Sequence, residues 1–340
     1  MSQLAIATMP FLDTLAGART EALTKLFNLL TWFGDEKLFV VISLIVVWCF
    51  SKQGGWYMLT VGFGASSIGQ MLKMVCRIPR PWNLGEKPFE HADPIARGSE
   101  ASGTGGKLNK LLGGGADGWA FPSGHTLISV GTYGGMAAWF RQKGLRIAGI
   151  VLAVLIPFTR LYLGVHTPLD ILAGALISLI LVIALRPVFA GDNRKAIRGV
   201  LIGNFVLAVL LTLWASLAVP AGLEGEDIGN YASGVKNLWQ LVGATLAVVI
   251  AYEADQRFLH YETKAVWWAQ LLKIAGGSVI LLGLQMGTQK IFGYSSSNLT
   301  LENMTRMGVI AAFANLLGLT GGMVCWPMTF GWFSRLGKKE

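Results

Sequence analysis

Three short stretches place ionisable side chains at the ends of apolar segments, where charge is normally avoided: KMVCRIPRP (73–81), PSGH (122–125) and TRLYLGVHTPLD (159–170). Lys73, Arg77 and Arg80 close one apolar segment, and Arg160 closes a later one. A single cation there reads as a snorkelling anchor, and for Arg77 that reading stands. Lys73, Arg80 and Arg160 are different, because gathered in a partly dehydrated place they repel one another unless an anion sits between them. Phosphate suits, since arginine forks match its oxygens. His166 and Asp170 lie four positions apart, which on a helix puts them on one face a turn apart. The carboxylate then accepts a hydrogen bond from one imidazole nitrogen and leaves the other as a lone pair aimed at phosphorus.

These residues need helix ends to hold them. In PSGH, proline and serine are good helix openers, so Ser123, Gly124 and His125 are expected at a helix N-terminus with backbone N–H groups turned outward to an oxyanion. Alone, PSGH reads as an N-cap with an incidental histidine; the neighbouring cations give it weight. Thr167 and Pro168 likewise mark a helix start.

More than half of the 340 residues are apolar, 14% are charged and the mean hydropathy is +0.53, which excludes an ordinary soluble domain. Apolar stretches at 38–50, 56–75, 126–140, 147–158, 171–185, 200–219, 241–252, 271–293 and 309–332 predict an all-α, polytopic transmembrane helical bundle of about nine to ten spans. The tenth would be 11–33, one amphipathic helix carrying Asp13, Arg19, Glu21 and Lys25, which fits an interfacial or re-entrant position better than a free span. No basic region followed by an apolar run and a small-residue cleavage site opens the chain, so no removable signal peptide is expected. The net charge of +9 is scattered over helix ends rather than gathered in a stripe, which argues against nucleic acid and for topology and anionic headgroups. Cys49, Cys76 and Cys325 have neither metal-like spacing nor a disulfide framework.

The chain is expected to divide near residue 190. Residues 1–190 form a catalytic core with the amphipathic N-terminal helix and a lid-like, Gly-rich loop at 82–121, whose Trp82, Trp119 and Phe121 are placed to meet lipid or headgroup; a plain connector is the other reading of that loop. Residues 191–340 add four spans of unknown role, compatible with a homodimer interface, a wider lipid access route or control of the lid. Short basic loops around 141–146 and 186–198 and a basic tail are of cytoplasmic kind, so the motifs face outward, in a bacterial plasma membrane by the economy of the loops.

K-x6-RP, then PSGH, then a hydroxyl residue followed by R-x5-H-x3-D resembles the tripartite signature of the type 2 phosphatidic acid phosphatase superfamily, over roughly residues 25–190. Thr159 stands where that pattern more often has serine. The stretch TWFGDEKLFVVISLIVVWCF (31–50) is similar to the opening of a branch containing bacterial lipid phosphatases and sphingosine-phosphate phosphatases. The resemblance implies a hydrolase without metal or cofactor, its site at the outer helix mouths. His166 attacks phosphorus with Asp170 orienting it, a phosphohistidine forms, and His125 protonates the leaving alkoxide and later activates water. Lys73, Arg80, Ser123, the Gly124 amide and Arg160 hold the phosphoryl oxygens. His91 and His260 lack comparable partners and receive no role.

A catalytic site at the mouths of membrane helices admits a lipid tail sideways, so a lipid phosphate is the expected partner, with the surrounding membrane lipids. Phosphatidic acid, phosphatidylglycerophosphate, an isoprenyl mono- or diphosphate and a sphingoid phosphate all satisfy this. A lipid phosphotransferase would use the same histidine pair, and a lipid-phosphate transporter or scramblase would use the motifs for binding alone. A vanadate-dependent haloperoxidase shares the anion-binding signature but does not fit nine spans.

Overall fold

In the computed structural model, residues 2–84, 118–191, 193–295 and 299–335 are described, and among them there are helices and no strand. Among the described residues, six helices are long and apolar enough to cross a membrane: α7 (Lys143–Tyr162), α8 (Pro168–Ala190), α9 (Arg194–Leu217), α10 (Glu226–Leu259), α11 (Trp267–Ile291) and α12 (Met304–Phe333). The other three expected spans are helical as well: α4 (36–50), α5 (Lys52–Cys76) and α6 (124–139). Of these, α4 and α6 are too short to cross about 30 Å of hydrocarbon unaided. Each contains a wider π-type turn, at 46–50 and 130–134.

The N-terminus corrects its expectation. Instead of one amphipathic helix over 11–33, the chain folds into α1 (Ser2–Ala7), α2 (Met9–Gly17), α3 (Glu21–Leu30) and a 3₁₀ turn, Thr31–Gly34. The break has a local cause: extended Thr20 caps α3 by accepting the Leu23 N–H, ending any helical path from α2. None of these pieces is long enough to cross a membrane.

The described chain forms two compact units, Met1–Phe39 with Ile68–Ile183, and Val40–Ser67 with Ala184–Glu340. All three motifs fall in the first. There α6 packs along α7, and the close approach rests on Gly149, where an added Cβ would stand 2.6 Å from the Tyr133 carbonyl oxygen. At Gly174 of α8 an added Cβ would meet the Ser123 carbonyl at 3.1 Å, while the Ser178 hydroxyl donates to the Leu127 carbonyl at 2.8 Å. The start of α6 is thereby seated on α8.

In the second unit α10 packs against α12 so closely that Gly243 touches the Ala312 carbonyl, as small residues allow in membrane bundles. The small residues of 318–322 serve the same purpose: an added Cβ on Gly318 would stand 3.0 Å from the Leu281 carbonyl. A polar rung joins the three helices, Gln285 donating to Asn315 and Asn315 to the Gln240 carbonyl. Lys52 pairs with buried Asp255 at 2.7 Å, and fully buried Lys273 donates to the Thr263 carbonyl at 3.2 Å. The three cysteines are free.

Gly149→Ala should lower the melting temperature of the detergent-solubilised protein by several degrees, since overpacking costs about 1–3 kcal/mol and here the opposing atom is backbone. Gly144→Ala in the same helix, with open space around it, should leave the melting temperature unchanged or slightly higher; differential scanning fluorimetry of both variants checks the pair.

Candidate active site

Four helix ends meet around His166. The first is the end of α5, where Arg77 takes a left-handed conformation (φ 46°) and its Nε donates to the Met74 carbonyl, turning the chain out of the helix. Arg77 is thus a C-terminal cap whose guanidinium lies over the Trp119 ring. The turn delivers Arg80 into the protein, while the backbone at 118–120 runs alongside through the Ala120 N–H to the Ile78 carbonyl.

The second end is the start of α6. Ser123 is the N-cap, its hydroxyl accepting the Thr126 N–H at 3.4 Å and its own N–H donating to the Asp170 carbonyl at 3.1 Å. His125 follows in the first turn.

The third is the end of α7, where Gly164 at φ 72° reverses the chain after Tyr162, a conformation that costs an L side chain about 1–2 kcal/mol. The Val165 N–H closes the turn on the Arg160 carbonyl. Arg160 therefore sits in the last helical turn and His166 just beyond the reversal.

The fourth is the start of α8. His166 precedes this helix, so the expected helical i, i+4 pairing is not what joins it to Asp170. A capping box does so instead: the Thr167 N–H donates to Asp170 Oδ2 at 2.7 Å, and the Asp170 N–H to Thr167 Oγ1 at 3.4 Å. The carboxylate held in this way stands 3.4 Å from His166 Nδ1, and both side chains are buried.

The state of the imidazole follows from its other nitrogen. Arg80 Nη1 lies 2.9 Å from His166 Nε2, and a guanidinium can only donate, so Nε2 carries the lone pair and Nδ1 the proton that faces Asp170. Burial first, and then the positive field of Arg80, Arg160 and Lys73, with His125 beside them, hold His166 well below the ordinary imidazole pKa. Both observations make it neutral.

The cations are held by neutral oxygens. Arg80 donates from Nε to the Gly118 carbonyl at 2.9 Å and from Nη1 to the Val165 carbonyl at 3.0 Å; Lys73 Nζ donates to the Trp119 carbonyl at 2.9 Å. Arg160 Nη1 donates to Thr31 Oγ1 at 2.8 Å. Neutral oxygens thus help to solvate buried cations that repel one another, and the positive field of those cations at His166 makes the site attractive to an anion. Among the described residues no cluster of histidine, cysteine or carboxylate side chains has the form of a metal site.

All eight residues expected in catalysis or phosphate binding lie at these ends: Lys73, Arg80, Ser123, Gly124, His125, Arg160, His166 and Asp170. Thr159 donates its hydroxyl to the Ile156 carbonyl within its own helix. Trp82 is buried against Tyr162, Leu163 and Val165, Phe121 against Ile78, Leu84 and Ala5, and Trp119 is buried between them in sequence. The rest of the loop expected as a lid, residues 85–117 with His91, lies outside the described residues. Left unforeseen were Thr31, Gly34, Gly164, the capping-box role of Thr167 at its expected helix start, and the three carbonyls. Gly164 and Thr167 carry legible turn and cap signals; a carbonyl carries none.

Residues 54–194 match the family model of the PAP2 superfamily. The likeness covers about two fifths of the chain. The matched segment includes every one of the eight residues. A curated relative, the undecaprenyl-diphosphatase of Sulfolobus acidocaldarius, is 44% identical over 59 residues, which is 17% of this chain and 28% of that protein. The chain thus matches little more than a quarter of that relative's length. No solved structure gives a significant match.

His166 is expected to remain neutral, in the Nδ1–H form, in nitrogen NMR spectra of histidine-labelled protein at pH 6.5, where an ordinary imidazole is half protonated. The sign for stability follows: below about pH 6.5 the unfolded chain takes up a proton that folded His166 refuses, so this contribution to stability is lost as the pH falls from there through the depressed folded-state pKa.

Proposed function

We propose that the chain is an integral membrane lipid phosphate phosphatase that hydrolyses a phosphomonoester or diphosphate headgroup through a phosphohistidine. The observation that carries this reading is the Nε2 lone pair of His166, turned into a set of three cations with Asp170 behind it. The PAP2 match and the relative named undecaprenyl-diphosphatase support the same chemistry and put a polyprenyl diphosphate among the substrates to test.

In this mechanism the substrate's phosphoryl oxygens bind Lys73, Arg80, Arg160 and the N-terminal turn of α6 at Ser123 and Gly124. As Arg80 Nη1 shifts from Nε2 to a phosphoryl oxygen, the lone pair is released for in-line attack. A P–N bond forms and the bond from phosphorus to the lipid oxygen breaks, the leaving oxygen taking a proton from His125. The charge that grows on the imidazole is stabilised through Nδ1–H by Asp170. His125 then takes a proton from water, the resulting hydroxide attacks phosphorus, the P–N bond breaks and inorganic phosphate leaves. The bound dianion offsets the three cations and so lets His125 hold its proton in the first step. Lys73, Arg80 and Arg160 supply the charge stabilisation a metal ion would otherwise give, so the reaction proposed needs none.

A site at outward-facing helix mouths in a bacterial inner membrane is compatible with the six apolar helices and with the basic loops around 141–146 and 186–198. Residues 191–340 are proposed as an accessory membrane region.

Purified protein should release phosphate from at least one of phosphatidic acid, phosphatidylglycerophosphate, polyprenyl mono- and diphosphate or sphingosine phosphate, undiminished by EDTA. His166→Ala should abolish release, and Asp170→Asn should lower kcat by roughly 10²–10⁴. No release from any of these lipids, with His166→Ala indistinguishable from wild type, would overturn the proposal.

A further inference from the structure

The turn Thr31–Gly34 lies before the PAP2 match, yet it touches two of the site's residues. Arg160 is 2% exposed and Thr31 6% exposed, and the guanidinium Nη1 donates to the Thr31 hydroxyl at 2.8 Å across 129 positions of chain. At Gly34 an added Cβ would stand 2.7 Å from Ile156 Cγ2 and 3.1 Å from His125 Cδ2, so a bare glycine lets the backbone lie against the His125 ring. The turn is itself fixed at several points. Tyr133 donates its hydroxyl to the Phe33 carbonyl at 2.8 Å, and the Asp35 carboxylate accepts the Lys37 N–H at 2.8 Å at the start of α4. Upstream, Arg19 Nε donates to the Tyr162 carbonyl and the Thr20 N–H to the Tyr162 hydroxyl, both at 2.9 Å, while Phe27 meets the Tyr162 ring edge-on at 4.6 Å. The segment is therefore clasped to the end of α7 that carries Arg160.

We propose that this turn is a fourth element of the phosphate site, in which Thr31 positions Arg160 for the anion and Gly34 sets the placement of His125. The chemistry of the contact favours this over plain packing. A hydroxyl fixes a guanidinium in direction and leaves its charge intact, whereas a carboxylate at the same place would form an ion pair and compete with phosphate. The inference rests on the reading of Lys73, Arg80 and Arg160 as a phosphate site, and predicts separable effects, Thr31 acting on anion affinity and Gly34 on turnover.

The test uses the full chain in detergent, with inorganic phosphate binding followed by calorimetry and lipid-phosphate hydrolysis followed in parallel. Thr31→Val should weaken phosphate binding by about tenfold, the worth of a hydrogen bond to a charged group, and should raise KM more than it lowers kcat. Thr31→Ser, which keeps the oxygen, should restore most of that affinity, and Thr31→Asp should abolish binding as Arg160→Ala does. Gly34→Ala should lower kcat with phosphate affinity retained. Thr31→Ala, which adds no bulk, replaces Thr31→Val if that variant does not fold. Thr31→Val binding phosphate as wild type does, or Thr31→Ser losing as much as Thr31→Val, overturns the role of the turn while leaving the phosphatase reading intact. Wild-type protein that binds phosphate through Arg160 but hydrolyses no lipid phosphate overturns the phosphatase reading, and the Thr31 series on phosphate affinity still decides the role of the turn. Wild-type protein that binds no phosphate overturns both.

Discussion

A guanidinium donates hydrogen bonds in several directions and accepts none, and the site is organised around that asymmetry at Arg80. Its Nη1 fixes the lone pair of His166 on Nε2, which in turn directs the Nδ1 proton to Asp170. It also donates to the carbonyls of Gly118 and Val165. A carbonyl inside a helix is already engaged, so these acceptors exist only where the chain has left its helices. The irregular backbone at 118–120 and 163–167 is therefore a requirement of the chemistry. A buried cation without such partners would cost several kcal/mol.

Helix polarity reinforces the arrangement. Lys73 and Arg160 occupy the last turns of α5 and α7, where exposed carbonyls carry partial negative charge, and Asp170 occupies the first turn of α8, where N–H groups carry the opposite. The start of α6 adds a further positive end beside Ser123 and Gly124. Each ionised side chain thus sits at the helix end that tolerates it, and the summed field at His166 remains positive. A neutral His166 and an attraction for anions follow from one charge distribution.

The second unit is built by different means. It brings helices together through Gly243, Gly308 and Gly318, whose missing side chains let backbone or an indole approach, and through the rung of Gln240, Asn315 and Gln285. Where lipid tails are as apolar as leucine, close van der Waals packing and a few interhelical hydrogen bonds are what hold such helices. Its buried cation, Lys273, is handled as in the first unit, by loop carbonyls with an aromatic ring, Phe330, beneath it.

Residue types and spacing alone determined the apolar helices, the helix starts at Ser123 and Thr167, and the identity of the histidines, cations and carboxylate, because caps, hydrophobic runs and ionised groups in apolar surroundings are local properties. Pattern reading failed over 11–33, where amphipathic periodicity continues past the Thr20 cap and a local hydrogen bond outweighs it. It also misjudged how His166 meets Asp170, since a spacing of four fits both a helical face and a capping box, and only the backbone of Thr167 distinguishes them. The tertiary structure decided what surrounds those residues: the carbonyls that solvate Lys73 and Arg80, the tautomer of His166, and the contact of Thr31 with Arg160 across 129 positions. Every residue has a carbonyl, and a threonine so distant has no spacing to betray it, so these partners became specific only when the packing of the helices chose them.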